Sequence, residues 1–446
     1  MIPLSITFVL FATFFLLLVI GAPIAVALGG ASVLSYLHLD QNPIKLVQLG
    51  FNAIGSFPLM AIPAFIFAGA IMEAAGISKR LVHIAETLSG SFTGGIGAST
   101  VVACIFFGAI SGSGPATTAA VGMLMIPAMI KHNYGKDYAA AMTAASGGLG
   151  IIIPPSIPMV IFGISAMGIA APFSAISEFG NFQSVSISKM FVAGVIPGLI
   201  MSISILIYNF CYCKKNKIEK SNHKWSLKES VQACKDGVWS LSAPVVILGG
   251  IYTGLFTPTE SAIVTIFYVL FVGVFIHKEL TWGEFTKCID STAWLSGRIM
   301  LILLTATAFG RLLVENQIPV VIVEALTSMT TNPYIIWLVI IGILLFVGMF
   351  METLAAIMIL TPVLLPVTYA LGIDPVHFGV VMICALSIGF STPPLGENLF
   401  VASAIAETPF EKITAKVTPI VCIAVVAVII IAFVPQISLW LPSLFY

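Results

Sequence analysis

YGKDYAAAMTAASGGLGIIIPPSIP, residues 134–158, and LGIDPVHFGVVMICALSIGFSTPPLGE, residues 371–397, read as one text written twice. Gly135 pairs with Gly372, Asp137 with Asp374, Gly150 with Gly389, and Pro154-Pro155 with Pro393-Pro394, with two residues of insertion. In each copy a run of small and apolar residues is cut by a glycine and a double proline. Two prolines remove two backbone donors and push the preceding residue out of the helix, so carbonyls just upstream lose their partners. The glycine permits the tight turn that such a break needs.

The solvent around these breaks follows from composition. Of 446 residues, 59% are hydrophobic and 9% charged, whereas soluble domains carry charge on roughly a quarter of their residues. The chain therefore lives in a bilayer, where broken backbone is tolerated only inside protein or along a cavity. At ~20 apolar residues per crossing, the length allows about a dozen crossings and leaves no room for a folded ATPase or enzyme domain. Energy must then come from an ion gradient or another subunit. Net charge is zero, which gives no hint of a nucleic acid partner. The N-terminus, MIPLSITFVLFATFFLLLVIGAP, lacks a basic leader and is too long for a signal peptide's apolar core, so it reads as the first membrane helix. The seven cysteines are scattered, lack metal-ligand spacing and read as buried, inert thiols.

Outward from the two breaks the duplication continues. IPAM (126–129) matches TPVL (361–364), Pro23 matches Pro258, and Pro197 and Pro419 mark the last helix of each half. Between the halves lies a loop, 211–237, holding Lys214, Lys215, Lys217, Lys220, Lys224, Lys228 and Lys235. Within it Ser226 and Glu229 have capping-box spacing, and Leu227, Val231, Cys234, Val238 and Leu241 predict an amphipathic helix along the membrane face. The expected fold is an all-α polytopic membrane protein of two repeats, 1–210 and 241–446, joined by a cytoplasmic basic segment, 211–240. Each repeat has five crossings, one re-entrant hairpin and one broken helix. The first half crosses near 4–20, 24–37, 57–76, 138–170 (interrupted) and 188–210, with short arms 96–110 and 116–130 turning at SGSGP (111–115). The second crosses near 241–255, 259–276, 291–314, 376–406 (interrupted) and 413–434, with a hairpin turning near Glu352. Five is odd, so the second repeat must be inverted. Starting outside, fifteen of the nineteen Lys and Arg fall on the cytoplasmic side, as the positive-inside rule requires, and both termini face the periplasm.

Paired broken helices in inverted repeats point to a secondary transporter's site. Free carbonyls at the break suit a dehydrated Na⁺, and the half-helix starts just beyond favour an anion. The hairpin tips add Ser111, Ser113, Thr117 and Thr118 in the first copy. In the second, METLAA sets Glu352 opposite Thr117 and Thr353 opposite Thr118. An acid inside the otherwise uncharged stretch 325–373 is a functional candidate; the alternative is a tip exposed to a water-filled vestibule. Thr257, Pro258 and Glu260 read as a helix start. Arg298 and Arg311 either meet a substrate carboxylate, pair with an acid such as Glu315, or snorkel; Glu397 either caps the following half-helix or faces the site. Histidines lie apart, and no HExxH, Gly-x-Gly-Asp or phosphate-loop motif occurs, which argues against an intramembrane enzyme. An ion channel is the rival reading, since re-entrant segments also line pores.

With SGSGPATTAAVG, GGLGIIIPPSIPMVIFG, GGIYTGLFTPTESA and GFSTPPLGENLFVAS in view, the chain closely resembles the large permease subunit of tripartite ATP-independent periplasmic (TRAP) transporters, of the ion transporter superfamily. The resemblance spans essentially the whole chain. It implies a Na⁺-coupled, elevator-type symporter of the bacterial inner membrane, importing a small organic acid such as a dicarboxylate or sialic acid. It further implies a small four-helix membrane subunit, here a separate chain, and a soluble periplasmic substrate-binding protein. Residue by residue, it implies one Na⁺ site from Ser111, Ser113, Gly150, Ile153 and Pro155, and a second from Thr353, Gly389, Thr392 and Pro394. Substrate would sit between the hairpins near Thr117 and Glu352. Many relatives have Asp at position 352, and the stretch 170–189 is longer than usual, which implies an altered exterior loop. A transporter that needs no partner is the third reading.

Overall fold

The computed structural model describes all residues except 1, 56, 90, 91, 168, 183, 219–225, 319, 323, 325–329 and 331, and all regular structure among the described residues is helical. In chain order the helices are α1 (Ile2–Val19), α2 (Ile24–His38), α3 (Ile44–Ile54), α4 (Ala61–Ala74), α5 (Ile77–Ser89), α6 (Gly95–Ser111), α7 (Gly114–Lys131), α8 (Lys136–Gly147), α9 (Ile157–Met167), α10 (Phe173–Phe179), α11 (Ile187–Lys215), α12 (Leu227–Asp236), α13 (Val238–Tyr252), α14 (Pro258–Phe271), α15 (Trp282–Glu315), α16 (Pro333–Phe350), α17 (Thr353–Ala370), α18 (Pro375–Gly389), α19 (Glu397–Ala406) and α20 (Phe410–Phe433). Among the described residues seven helices are long and apolar enough to cross a membrane. The chain is an all-α, multi-pass membrane protein.

Two short helices form the core. Every residue of α18 is buried, and in α8 everything from Tyr138 to Gly147 is buried except Ala145. Burial on every face means that protein, not lipid, surrounds these two helices. The alanines of α8 (139, 140, 141 and 144) let α7, α19 and α20 pack closely around it. Large apolar side chains on the outer helices, among them Phe8, Val245 and Phe267, face outward, as a lipid-facing surface requires.

Several elements depart from the sequence reading. Helix α15 begins at Trp282 rather than near 291, because Thr281 and Glu284 close a capping box that the search for apolar runs passed over. The arms of the first hairpin run 17 and 18 residues, longer than the apolar runs 96–110 and 116–130, and those of the second run 18 each. Helices α3 and α5 are additional amphipathic elements. Helix α12 starts at Ser226, whose side chain accepts from Glu229 N, but it packs on α5 through Ser230 and Ala233 while Val231 stays exposed. Its C-cap is Gly237, where a Cβ would stand 2.5 Å from Ile84 Cδ1. The stretch 170–189 carries α10, whose Phe179 ring covers Gly372, and Phe182 packs on Tyr369 at 4.8 Å. Cys211 and Cys422 are exposed, not buried as expected, because they sit on outward faces of apolar helices.

The last long helix of each half crosses the other head to tail. Lys416, near the start of α20, stands over the Tyr212 ring near the end of α11 and 3.8 Å from Asp137. Lys189, near the start of α11, stands over Tyr446 at the other chain end and in the field of Asp374. Helices α11 and α20 are therefore antiparallel.

Candidate functional site

Both breaks fall where proline and glycine dictate. Helix α8 ends at Gly147, a 3₁₀ turn covers Gly148–Ile151, and helix resumes at Ile157. Helix α18 ends at Gly389 and α19 resumes at Glu397. The Pro154-Pro155 and Pro393-Pro394 bonds are both cis. The first hairpin turns at Gly112, whose φ of 58° lies in the left-handed region that glycine enters without strain. The second turns between Phe350 and Thr353.

Each hairpin lies on the break of its own half through a pair of glycines. A Cβ on Gly108 would stand 2.6 Å from Gly150 Cα, and one on Gly389 would overlap the Gly348 backbone. These contacts bring the first expected set together. The open side of Gly150 faces the Ser113 carbonyl and the Thr117 hydroxyl, and the Pro155 carbonyl faces Gly112. Ser111 Oγ lies 3.0 Å from Thr117 Oγ1, which donates to Ser113 O at 2.6 Å. The Ile153 side chain points away from this set and packs on Gly198 of α11.

The second set is looser. Gly389 meets Gly348, and Thr392 Oγ1 donates to Ile388 O at 2.7 Å. The Thr353 hydroxyl, 2% exposed, bonds to none of them and has no partner; Pro394 is exposed. The helix starts also correct the register. Ser113 stands at the N-cap position of α7 and Glu352 at that of α17, so Glu352 stands opposite Ser113, not Thr117, and Thr353 opposite Gly114. Apolar helical text slides by one turn without changing its pattern, since side chains four apart share a face.

Three polar residues that the sequence did not single out join the halves. Ser387 Oγ donates to Gly148 O at 2.7 Å, and Ser391 Oγ and Asn398 Nδ2 donate to Ala144 O at 2.9 and 3.0 Å. Carbonyls at a helix C-terminus have no partner within the helix, and here the second half supplies them. Their signal was a polar residue just before or after a break.

A family model described as tripartite ATP-independent periplasmic transporter, DctM component, matches residues 11–437. The chain belongs to this family. It is 42% identical over 433 residues to the isethionate TRAP transporter permease protein DctMQ of Oleidesulfovibrio alaskensis, a match covering 97% of the chain and 66% of that relative. It is 36% identical over 445 residues to the C4-dicarboxylate TRAP transporter large permease protein DctM of Rhodobacter capsulatus, covering 98% of both. To the sialic acid TRAP transporter large permease protein SiaM of Vibrio cholerae it is 34% identical over 430 residues, covering 96% of both. Its fold is similar to the crystal structure of the Alcanivorax borkumensis YdaH transporter, with a TM-score of 0.62 over 86% of each chain at 13% identity.

In this TRAP permease the ambiguous charges find partners. Arg311 Nε bonds Glu315 Oε1 at 2.8 Å. Thr257 and Glu260 close a capping box. Arg298 Nη2 lies 3.5 Å from Glu352 Oε2, and Glu397 interacts electrostatically with both. A separate cavity of about 370 Å³ lies between α15 and α17, lined by Leu303, Thr307 and Met358 among others, and of the candidates named from the sequence Arg311 lines it.

Proposed function

We propose that this chain is the large permease of a Na⁺-coupled TRAP importer that moves a small organic acid across a bacterial inner membrane. The observation that carries the reading is the duplicated unit of hairpin and broken helix, in which a glycine pair seats each tip on its own break, in a chain of this transporter family. One Na⁺ is bound by Ser111, Ser113, Gly150, Ile153 and Pro155, chiefly through backbone oxygens. The other is bound by Thr353, Gly389, Thr392 and Pro394. Substrate sits between the tips, near Glu352 and the Thr117 turn. The antiparallel pairing of α11 and α20 supports inverted repeats, and with them a membrane-crossing exchange of access.

The hairpins and broken helices, α6–α9 and α16–α19, move as a transport domain against the remaining helices in an elevator motion. A small four-helix membrane subunit completes the scaffold, and a soluble periplasmic binding protein delivers substrate. The central basic loop is cytoplasmic and both termini are periplasmic.

Thermal unfolding of the detergent-purified chain in Na⁺, against K⁺ or choline at equal ionic strength, tests this. A ligand bound only by the folded state at 100 times its Kd adds about 2.7 kcal/mol, so Na⁺ raises Tm selectively, and Thr392→Val and Ser113→Ala each reduce the rise. A folded protein whose Tm ignores Na⁺ is incompatible with the coupling, and single-channel currents from the chain alone would favour a pore instead.

A further inference from the structure

Arg298 and Glu352, from two separate elements, pair at 3.5 Å, and Glu397 of a third element lies within their electrostatic reach. Arg298, in the middle of α15, is 60% exposed and its nearest carboxylate oxygen, Glu352 Oε2, stands at 3.5 Å without a hydrogen bond to any group. Glu397, the first residue of α19, interacts with both. Beside the carboxylates are two polar atoms without partners on almost wholly enclosed residues. One is the Thr353 hydroxyl, next to Glu352. The other is Asn398 Oδ1, next to Glu397, which is turned toward Gly114 at the tip of the first hairpin. Enclosed hydrogen-bonding atoms are nearly always satisfied, so Asn398 Oδ1 marks a place where a ligand completes the bonding, as the Thr353 hydroxyl does on the Na⁺ side.

The chemistry of the cluster is asymmetric. A guanidinium only donates and carries a fixed positive charge, whereas a carboxylate accepts from a hydroxyl or an ammonium and repels an anion. One cation facing two carboxylates suits a ligand with a single anionic end. A second anionic end would be driven against Glu352 or Glu397, and a built-in repulsion of that kind is how sites reject near relatives of their ligand.

We propose that the substrate is a small organic acid with one anionic group and a nearby hydrogen-bond donor, a hydroxyl or ammonium, and that dicarboxylates are excluded. Arg298 holds the anionic end, replacing its loose contact with Glu352, while Glu352 and Glu397 accept from the donor. This deepens the transport reading above and rests on it.

The test is thermal unfolding of the full chain in Na⁺ with matched probes: isethionate against ethanesulfonate, lactate against propionate, and succinate as the dicarboxylate. The hydroxylated member of each pair is expected to stabilise at about tenfold lower concentration than its partner or succinate. Glu397→Gln shrinks that preference several-fold and admits succinate, while Arg298→Gln removes the response to every acid; an intact Na⁺ response reports that each variant is folded. Equal stabilisation by ethanesulfonate or succinate in the wild type, or an unchanged preference in Glu397→Gln, overturns the proposal. A Na⁺-selective shift with no response to any acid overturns the substrate class alone. Indifference to both Na⁺ and acids overturns the transport reading with it.

Discussion

The two hairpin tips occupy the same position on their breaks yet are finished differently. At the first, Ser111, Ser113 and Thr117 satisfy one another, and the Thr117 hydroxyl donates inward to the Ser113 carbonyl. At the second, the same cap position holds Glu352 instead of Ser113, its charge reaches across to Arg298 on another helix, and the adjoining Thr353 hydroxyl has no partner. The duplicated backbone supplies both copies with a similar break. Tip side chains then decide what each leaves open, and the second copy leaves more.

The sharpest way to break this comparison is at the glycine pairs. Gly108→Ala and Gly389→Ala each force a methyl group into facing backbone, and overpacking of this kind costs about 1–3 kcal/mol. Both variants are expected to lose several degrees in Tm or to fail to purify as a single species; a tolerated alanine at either position would show that the two seats are not equivalent. Thr117→Val and Thr353→Val probe the tips themselves, with thermal unfolding in choline. Losing the Thr117 bond costs about 1 kcal/mol, whereas replacing the unpartnered Thr353 hydroxyl is neutral or stabilising. Equal losses would erase the contrast drawn above.

A smaller effect is expected where the halves cross. Lys416→Ala removes a half-exposed pair with Asp137, worth at most about 1 kcal/mol and less at high salt. A denaturation series in low and high salt should show the variant converging on wild type as salt rises. The mildest effect concerns His277, which ties the second half to the first by donating from Nδ1 to Ala75 O at 2.9 Å. Burial holds its pKa below the ordinary histidine value, against that hydrogen bond and Glu279 and with the help of Arg80. The neutral ring is thus the one that folds, so its contribution is complete above about pH 6.5 and falls as pH drops below that value. His277→Gln should flatten the Tm profile between pH 7 and 5; a profile unchanged by the substitution would assign the acid sensitivity elsewhere.

Much of the backbone around the candidate site was legible in the chain. Pro154-Pro155, Pro393-Pro394, Gly112 and the Thr257–Glu260 cap all act on their own backbone, so each break, turn and helix start appears where its residues stand. The register between the hairpins was read one turn out because apolar text has no feature that resists a slide. The start of α15 was missed because its cap precedes a stretch with too many polar residues to read as a span. The packing face of α12 was misjudged because a small, close-fitting surface, Ser230 and Ala233, won over the larger apolar residues.

The sequence alone determined the solvent and the punctuation of this protein. Composition sums over the whole chain and so identifies a bilayer, and proline and glycine restrict dihedral angles without help from distant residues. Only the tertiary structure decided which groups answer each other. Asn398 and Ala144 bond across 254 residues, and Arg298 meets Glu352 only because α15 and the second hairpin converge. Such partnerships depend on how helices pack, and no local pattern encodes that.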